Sequence, residues 1–168
     1  MLLPMVPVLQ LVRGIAAISS LPIIASGGIM DGAEIAQTLA AGASAVQLGT
    51  AFLACPESGA SETYKHGILA AREDTTVITR AFSGRPARGL RNEFITRLSD
   101  REQSLLPFPQ QNALTRPMRT AAAKQNDPRF LSLWAGTGVA RARSLPAREL
   151  VLRLMREMKE FNSANQDD

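Results

Sequence analysis

The chain has 168 residues, with 19 Lys plus Arg against 15 Asp plus Glu, one His, one Cys, one Trp and 45% hydrophobic residues, which is room for one ordinary domain. A charged share of 20% makes the composition globular and excludes a disordered tail, a collagen-like repeat and a disulfide scaffold. The net charge of +4 and a pI near 10.0 bear on nonspecific binding rather than on fold, and the basic residues are mixed with acidic ones over most of the chain.

The first 24 residues are apolar but are interrupted by Pro4, Pro7, Arg13 and Pro22. With no basic segment before them they make neither an uninterrupted membrane span nor a secretory core, so a soluble protein is expected. A lone Cys55 cannot close an internal disulfide and suits a reducing compartment, which makes the cytoplasm the expected location. Residues 2 to 18 have helical spacing with Val8, Leu11, Val12 and Ile15 on one face, and Pro4 or Pro7 fits the first turn. Leu21 to Ala25 (LPIIA) is a short apolar run of the kind found in a parallel strand buried on both faces. Gly27 and Gly28 follow, then Asp31 as an N-cap, a helix with Ile35, Ala36, Leu39 and Ala40 on one face, and Gly42 as its cap. Ala45 to Leu48 (AVQL) is a second strand, ended by Gly49. Strand, glycine turn, helix and strand make a right-handed βαβ unit with parallel strands.

Beyond residue 51 the pattern is less regular. A helix is expected at about 60 to 72, a strand at Thr75 to Ala81, a loop over 84 to 92 (GRPARGLRN) and a helix from about 92 to 105. After the LPFPQ break a helix is predicted over 111 to 124, and a last one over about 147 to 161 with Leu150, Leu154, Met158 and Phe161 on one face. The tail after it should fray. The chain divides into residues 1–58, carrying the βαβ unit, and residues 59–168, a mostly helical region.

The chemically informative segments are Ala25-Ser26-Gly27-Gly28-Ile29 and Gln47-Leu48-Gly49-Thr50, at the C-terminal ends of the two strands. Both turns open on the same sheet edge. Their backbone N–H groups can hold a phosphate monoester, because a missing Cβ permits close approach and a helix N-terminus adds a favourable dipole. Thr50 can add a hydroxyl. In a (β/α)₈ barrel the loops after the seventh and eighth strands form such a site. The alternative is that the glycines merely make tight turns.

The longer string ASGGIMDGAEIAQTLAAGASAVQLGTAFLACPES (25 to 58) closely resembles the flavin-dependent nitronate monooxygenase family, formerly the 2-nitropropane dioxygenases. TYKHGILAARED, TTVITRAFSGRPARGLRN, PFPQQNALTRPMRTAAA and LWAGTGVARARSLPARELVLRL follow in the order of that family's C-terminal part, so the resemblance covers nearly the whole chain. Thr137 departs from it, where Gln is expected after Trp134-Ala135-Gly136. The resemblance implies an α/β fold that is the C-terminal part of a TIM (β/α)₈ barrel, about strands seven and eight with their helices, plus a helical C-terminal region packing over the active site. It implies FMN as cofactor, oxidation of alkyl nitronates by O₂ to carbonyl compounds and nitrite, and flavin as the carrier of the redox chemistry. On this basis Gly27, Gly28, Gln47, Leu48, Gly49 and Thr50 bind the FMN phosphate.

A whole barrel needs about 250 residues, so the chain is expected to be partial, lacking the glycine-rich N-terminal flavin loop and the histidine that serves the family as general base. His66 lies after the second turn, on the helix expected at about 60 to 72, and is read as a packing or surface residue; no catalytic residue is assigned. Cys55 is read as a small buried hydrophobe. The group Arg80, Arg85, Arg88, Arg91, Arg97 and Arg101 could neutralise phosphates, but no nucleic-acid-binding pattern accompanies it and no nucleic-acid partner is expected. Arg85, Arg88 or Arg91 is instead a candidate contact for an anionic substrate or a neighbouring subunit. Two other functions compete. One is an FMN-dependent enoyl-acyl-carrier-protein reductase, which resembles the segment around the two turns and uses NAD(P)H. The other is a non-catalytic remnant that binds flavin or phosphate, self-associates, or pairs with the missing barrel half through its open strand edges.

Overall fold

The computed structural model describes residues 5–165; Pro4, one of the two residues expected to start the first helix, lies outside them, as do the last three residues of the tail expected to fray. In chain order the elements are α1 (Val8–Ala16), β1 (Ile24–Ser26), α2 (Gly32–Ala40), β2 (Ala45–Gln47), α3 (Thr50–Leu53), α4 (Glu62–Leu69), β3 (Thr76–Thr79), β4 (Ala87–Leu90), α5 (Glu93–Leu98), α6 (Gln110–Lys124) and α7 (Ala147–Ala164), with 3₁₀ turns at Ser99–Ser104, Pro128–Phe130 and Val139–Arg141. No helix among the described residues is long and apolar enough to cross a membrane. The fold is mixed α/β and forms two compact units, residues 1–59 with 141–168, and residues 60–140. Residues 141–168, which the sequence groups with the helical region after residue 58, therefore pack in the first unit. The reason is that α7 presents Leu150 and Leu154 to a cluster with Met30, Ala51 and Cys55, whereas sequence distance alone would keep it with its neighbours.

In the first unit β1 and β2 pair in parallel, with Ile24, Ala25 and Ser26 opposite Ala45, Val46 and Gln47. α2 connects them. Its start is fixed by Asp31, whose Oδ1 accepts from the Glu34 N–H at 2.9 Å, a standard cap that satisfies an amide the helix cannot. A small cluster of Val12, Ala25 and Ala43, flanked by Val8, Ile23 and Ala41, seats α1 on this pair. Leu11 and Ile15, expected on the buried face of α1, are exposed, because only the Val8–Val12 row meets the narrow strand pair. α2 and α7 cross closely at Gly32, where a Cβ would lie 2.3 Å from the Met158 backbone nitrogen and 2.4 Å from the Leu154 carbonyl oxygen. Only glycine permits that approach.

The second unit is built on an antiparallel pair, β3 with β4, in which Thr76 faces Leu90 and Thr79 faces Ala87. Residues 84–92, expected as a loop, thus contain a strand. Arg- and Gly-rich composition hides it, but Gly89 is the residue that lets it form: the chain also bridges Gly89 to Trp134, and a Cβ there would stand 2.8 Å from the Leu133 carbonyl. Phe82, 1% exposed, lies 4.9 Å from Phe94 and edge-on to Trp134 at 5.8 Å between ring centroids. Two buried polar side chains of α6 satisfy neighbouring backbone, Gln111 Nε2 donating to the Ala81 carbonyl at 2.7 Å and Thr115 Oγ1 to the Phe82 carbonyl at 2.6 Å. The helix expected over 92–105 divides into α5 and a 3₁₀ turn, with non-helical torsions at Arg101.

Candidate functional site

The parallel register that puts Ser26 opposite Gln47 makes the next residues of both strands leave the sheet at one edge, side by side. Gly27-Gly28 and Leu48-Gly49-Thr50 are thereby brought together. Gly27 has φ +124° and Gly28 φ +75°, torsions that a residue with a Cβ adopts only under strain, so the turn itself requires this pair. Gly49 is different. Its φ of −107° is open to any residue, and a Cβ there would meet nothing within 4 Å. Neither backbone strain nor packing among the described residues calls for glycine at this position.

The remaining predicted positions separate by environment. Gln47 is exposed at the end of β2, and Thr50 is half-buried as the first residue of α3. Leu48 packs its side chain against the cluster of Met30, Ala51, Cys55, Leu150 and Leu154, so what it offers at the sheet edge is backbone. Cys55 is 1% exposed in that cluster, in agreement with its reading as a small hydrophobe. Gly49 also borders a cleft of about 300 Å³ lined by Phe52, Leu53, Cys55, Glu57, Ser58 and Ala147.

The expected contribution of a helix N-terminus is corrected for α2. The amides around its start are already taken by carboxylates: Glu34 N–H donates to Asp31 Oδ1 at 2.9 Å, Met30 N–H to Glu34 Oε2 at 2.8 Å and Gly32 N–H to Glu157 Oε2 at 3.0 Å. Three amides at the start of α2 are thus already engaged by carboxylates. The same carboxylates gather a set of arginines. Arg141 donates to Asp31 Oδ2 at 2.9 Å, to Glu34 Oε1 at 2.8 Å and to the Gly28 carbonyl at 3.2 Å. Arg143 donates to both oxygens of Glu157, at 2.7 and 3.2 Å, and to the Met30 carbonyl at 3.3 Å, while Arg153 Nε adds a bond to Glu157 at 3.1 Å. The Glu34 hydrogen bond is the main cause that raises Arg141 above its ordinary value. Burial works to raise Glu157, but its bonds from Arg143, the Gly32 amide and Arg153 prevail and hold it below the usual carboxylate range.

These arginines went unnoticed in the sequence because 113 positions separate Arg141 from Gly28; the alternating ARAR before a helix was the only available signal. The arginines that did stand out lie in the second unit. Arg88 Nη1 donates to Thr76 Oγ1 at 3.0 Å, Arg80 Nε to the Gly84 carbonyl at 3.1 Å, and Arg85 stacks 4.4 Å over the Phe108 ring. Arg97 pairs with Glu93 on the surface of α5, and Arg91 and Arg101 are exposed. His66 is exposed on α4.

The family model "Nitronate monooxygenase" matches residues 5–157. A probable nitronate monooxygenase of Staphylococcus aureus (strain Newman) is 40% identical over 159 residues, which are 95% of this chain and 45% of that protein. Among solved structures, a nitroalkane oxidase from Streptomyces ansochromogenes superimposes with a TM-score of 0.87 at 44% identity, over 94% of this chain and 45% of the other. FabK from Thermotoga maritima follows with a TM-score of 0.81 at 30% identity, over 98% of this chain and 52% of the other. The chain thus spans about half the length of the relatives it matches. With agreement along nearly all of its own length in both sequence and backbone, the chain belongs to the nitronate monooxygenase family of oxidoreductase enzymes.

Proposed function

We propose that this chain supplies the FMN-phosphate edge of a nitronate monooxygenase, with β1 and β2 as strands seven and eight of a (β/α)₈ barrel. The observation that carries the reading is Gly49. The fold needs glycine at Gly27 and Gly28 for torsional reasons, but at Gly49 the missing Cβ only leaves space open beside the other turn. Two backbones stripped of side chains at one sheet edge fit a phosphate monoester, whose oxygens accept from N–H groups at close approach. With three amides at the start of α2 engaged by carboxylates, the turns provide the donors and Thr50 adds its hydroxyl. Gln47 marks the end of β2 beneath the second turn, and Leu48 contributes through its backbone.

When bound, FMN supplies the redox chemistry by which an alkyl nitronate and O₂ become a carbonyl compound and nitrite. This chain's residues hold the phosphate and orient the cofactor. The exposed Ile18, Leu21 and Ile24, at 86, 75 and 67%, are the surface on which further barrel strands would close, and a homo-oligomer or the other barrel half is the partner that such a surface suits. A cytoplasmic setting accords with a sequence whose single cysteine, Cys55, has no second cysteine to pair with.

The test is anaerobic addition of an alkyl nitronate to the flavin-loaded protein, followed by absorbance of the flavin. Bleaching by nitronate and not by NAD(P)H is expected. Bleaching by the nicotinamide alone would transfer the protein to the enoyl-reductase class, and a Gly28→Ala variant that retains FMN unchanged would remove the phosphate turn from the argument.

A further inference from the structure

We infer that Arg141 is a positioning residue for the phosphate turn, holding the Gly28 peptide and pairing with the two carboxylates beside it so that the turn accepts a phosphate dianion. The inference rests on the reading that the Gly27-Gly28 turn receives the FMN phosphate. It starts from a conflict within the sequence. α2 needs Asp31 and Glu34 to satisfy the amides of Glu34 and Met30, yet both carboxylates stand at the turn, where negative charge opposes an incoming phosphate.

Three carboxylates, Asp31, Glu34 and Glu157, meet three guanidiniums there, those of Arg141, Arg143 and Arg153. Arg143 and Arg153 are both engaged by Glu157. Arg141 alone serves Asp31 and Glu34, so its loss leaves the turn with one uncompensated negative charge. Its bond to the Gly28 carbonyl has a second effect. The peptide is planar and trans, so with its carbonyl turned to the guanidinium, the Ile29 N–H on the same peptide faces away from Arg141. The guanidinium makes these bonds to the turn and to the two carboxylates at once.

A clamp that served stability alone would not distinguish ligands that differ only in the phosphate. FMN and riboflavin differ in that way. The experiment is equilibrium dialysis of the full chain against each flavin, for wild type, Arg141→Met, Arg141→Lys and the double variant Arg141→Met/Glu34→Gln, with circular dichroism to verify folding. Wild type is expected to prefer FMN. In Arg141→Met the FMN affinity should fall about tenfold while riboflavin changes less than about twofold. Arg141→Lys, which keeps the charge, should retain most of the preference for FMN. The double variant, with the charge balance restored, should recover much of what Arg141→Met loses. Unchanged FMN affinity in Arg141→Met, an equal loss of both flavins, or a Lys variant as poor as the Met variant overturns the role of Arg141 while leaving the phosphate turn intact. Should Arg141→Met fail to fold, Arg141→Gln, which removes the charge but keeps a polar side chain, replaces it under the same criterion. A wild-type chain that binds neither flavin, or both equally, overturns the phosphate reading and this inference together.

Discussion

The two units bury their apolar residues in different ways. In residues 60–140 the largest side chains converge on one interior, Phe82 among Phe94 and Trp134, with Gln111 and Thr115 satisfying the backbone next to it. In the other unit the residues between α1 and β1 are apolar and exposed, Ile18, Leu21 and Ile24 above all, and a two-stranded parallel sheet leaves its edges open. Parallel strands are found almost solely in sheets covered on both faces. The second unit gathers its aromatic side chains into one interior, whereas the first leaves large aliphatic side chains beside β1 at the surface.

The largest expected effects lie where that contrast is steepest. Phe82→Ala should cost about 4 kcal/mol in urea unfolding, while Ile24→Ala should cost under about 0.5 kcal/mol in the chain alone. If Ile24→Ala proves as costly as a core truncation, its face is already covered, by a second copy, and the contrast between the units fails. Gly32→Ala, which drives a Cβ into the α7 backbone, should cost about 3 kcal/mol and should release α7 to proteolysis before the second unit is touched.

A smaller effect separates the units by pH. Glu157 is held below its ordinary value by Arg143, Gly32 and Arg153 against the opposing effect of burial. A carboxylate depressed in the folded state stabilises above its unfolded pKa and loses that contribution as pH falls through the folded value. Glu157→Gln should therefore cost about 1–2 kcal/mol at neutral pH, and the difference from wild type should vanish in acid. Tyr64 behaves in the opposite sense in the second unit. Burial pushes its hydroxyl up to about 12, against the lowering effect of its bond to the Trp134 carbonyl. The raised value stabilises below pH 10 and the contribution is lost as pH rises toward 12. Tyr64→Phe should cost about 1 kcal/mol at neutral pH and flatten the alkaline limb. Least of all, Glu93→Gln, which breaks surface pairs with Arg97 and Arg129, should change stability by under about 0.5 kcal/mol.

How far the sequence can be read follows the range of the forces involved. β1, α2 and β2 are local: an apolar run, Asp31, a helical stripe and a second apolar run lie within 28 consecutive residues, 21–48, and their order suffices to pair the strands. The glycines of both turns are legible for the same reason. β4 is not, because its place is set by Gly89 meeting Leu133 and Trp134, more than forty positions away, and its own residues carry no alternation. Nor is Arg141, since the carboxylates it serves are brought to it by the crossing of α2 and α7. Leu150 and Leu154 reveal that α7 has a buried face but not which element it covers. The two turns could be located, but the guanidinium that pairs with the carboxylates beside them could not.

The crossing at Gly32 has a consequence for how the protein is made. During synthesis the turn at Gly27-Gly28 leaves the ribosome long before Arg141, Arg143 and Glu157, the residues that grip its surroundings. The strands and α2 can form early, but the guanidinium on Gly28 and the carboxylate on Gly32 arrive only after the whole second unit has been translated. A polypeptide cut short after residue 140 would hold every glycine of the turn and none of the latch, so any cofactor loading that depends on that latch belongs to the finished chain and not to the nascent one.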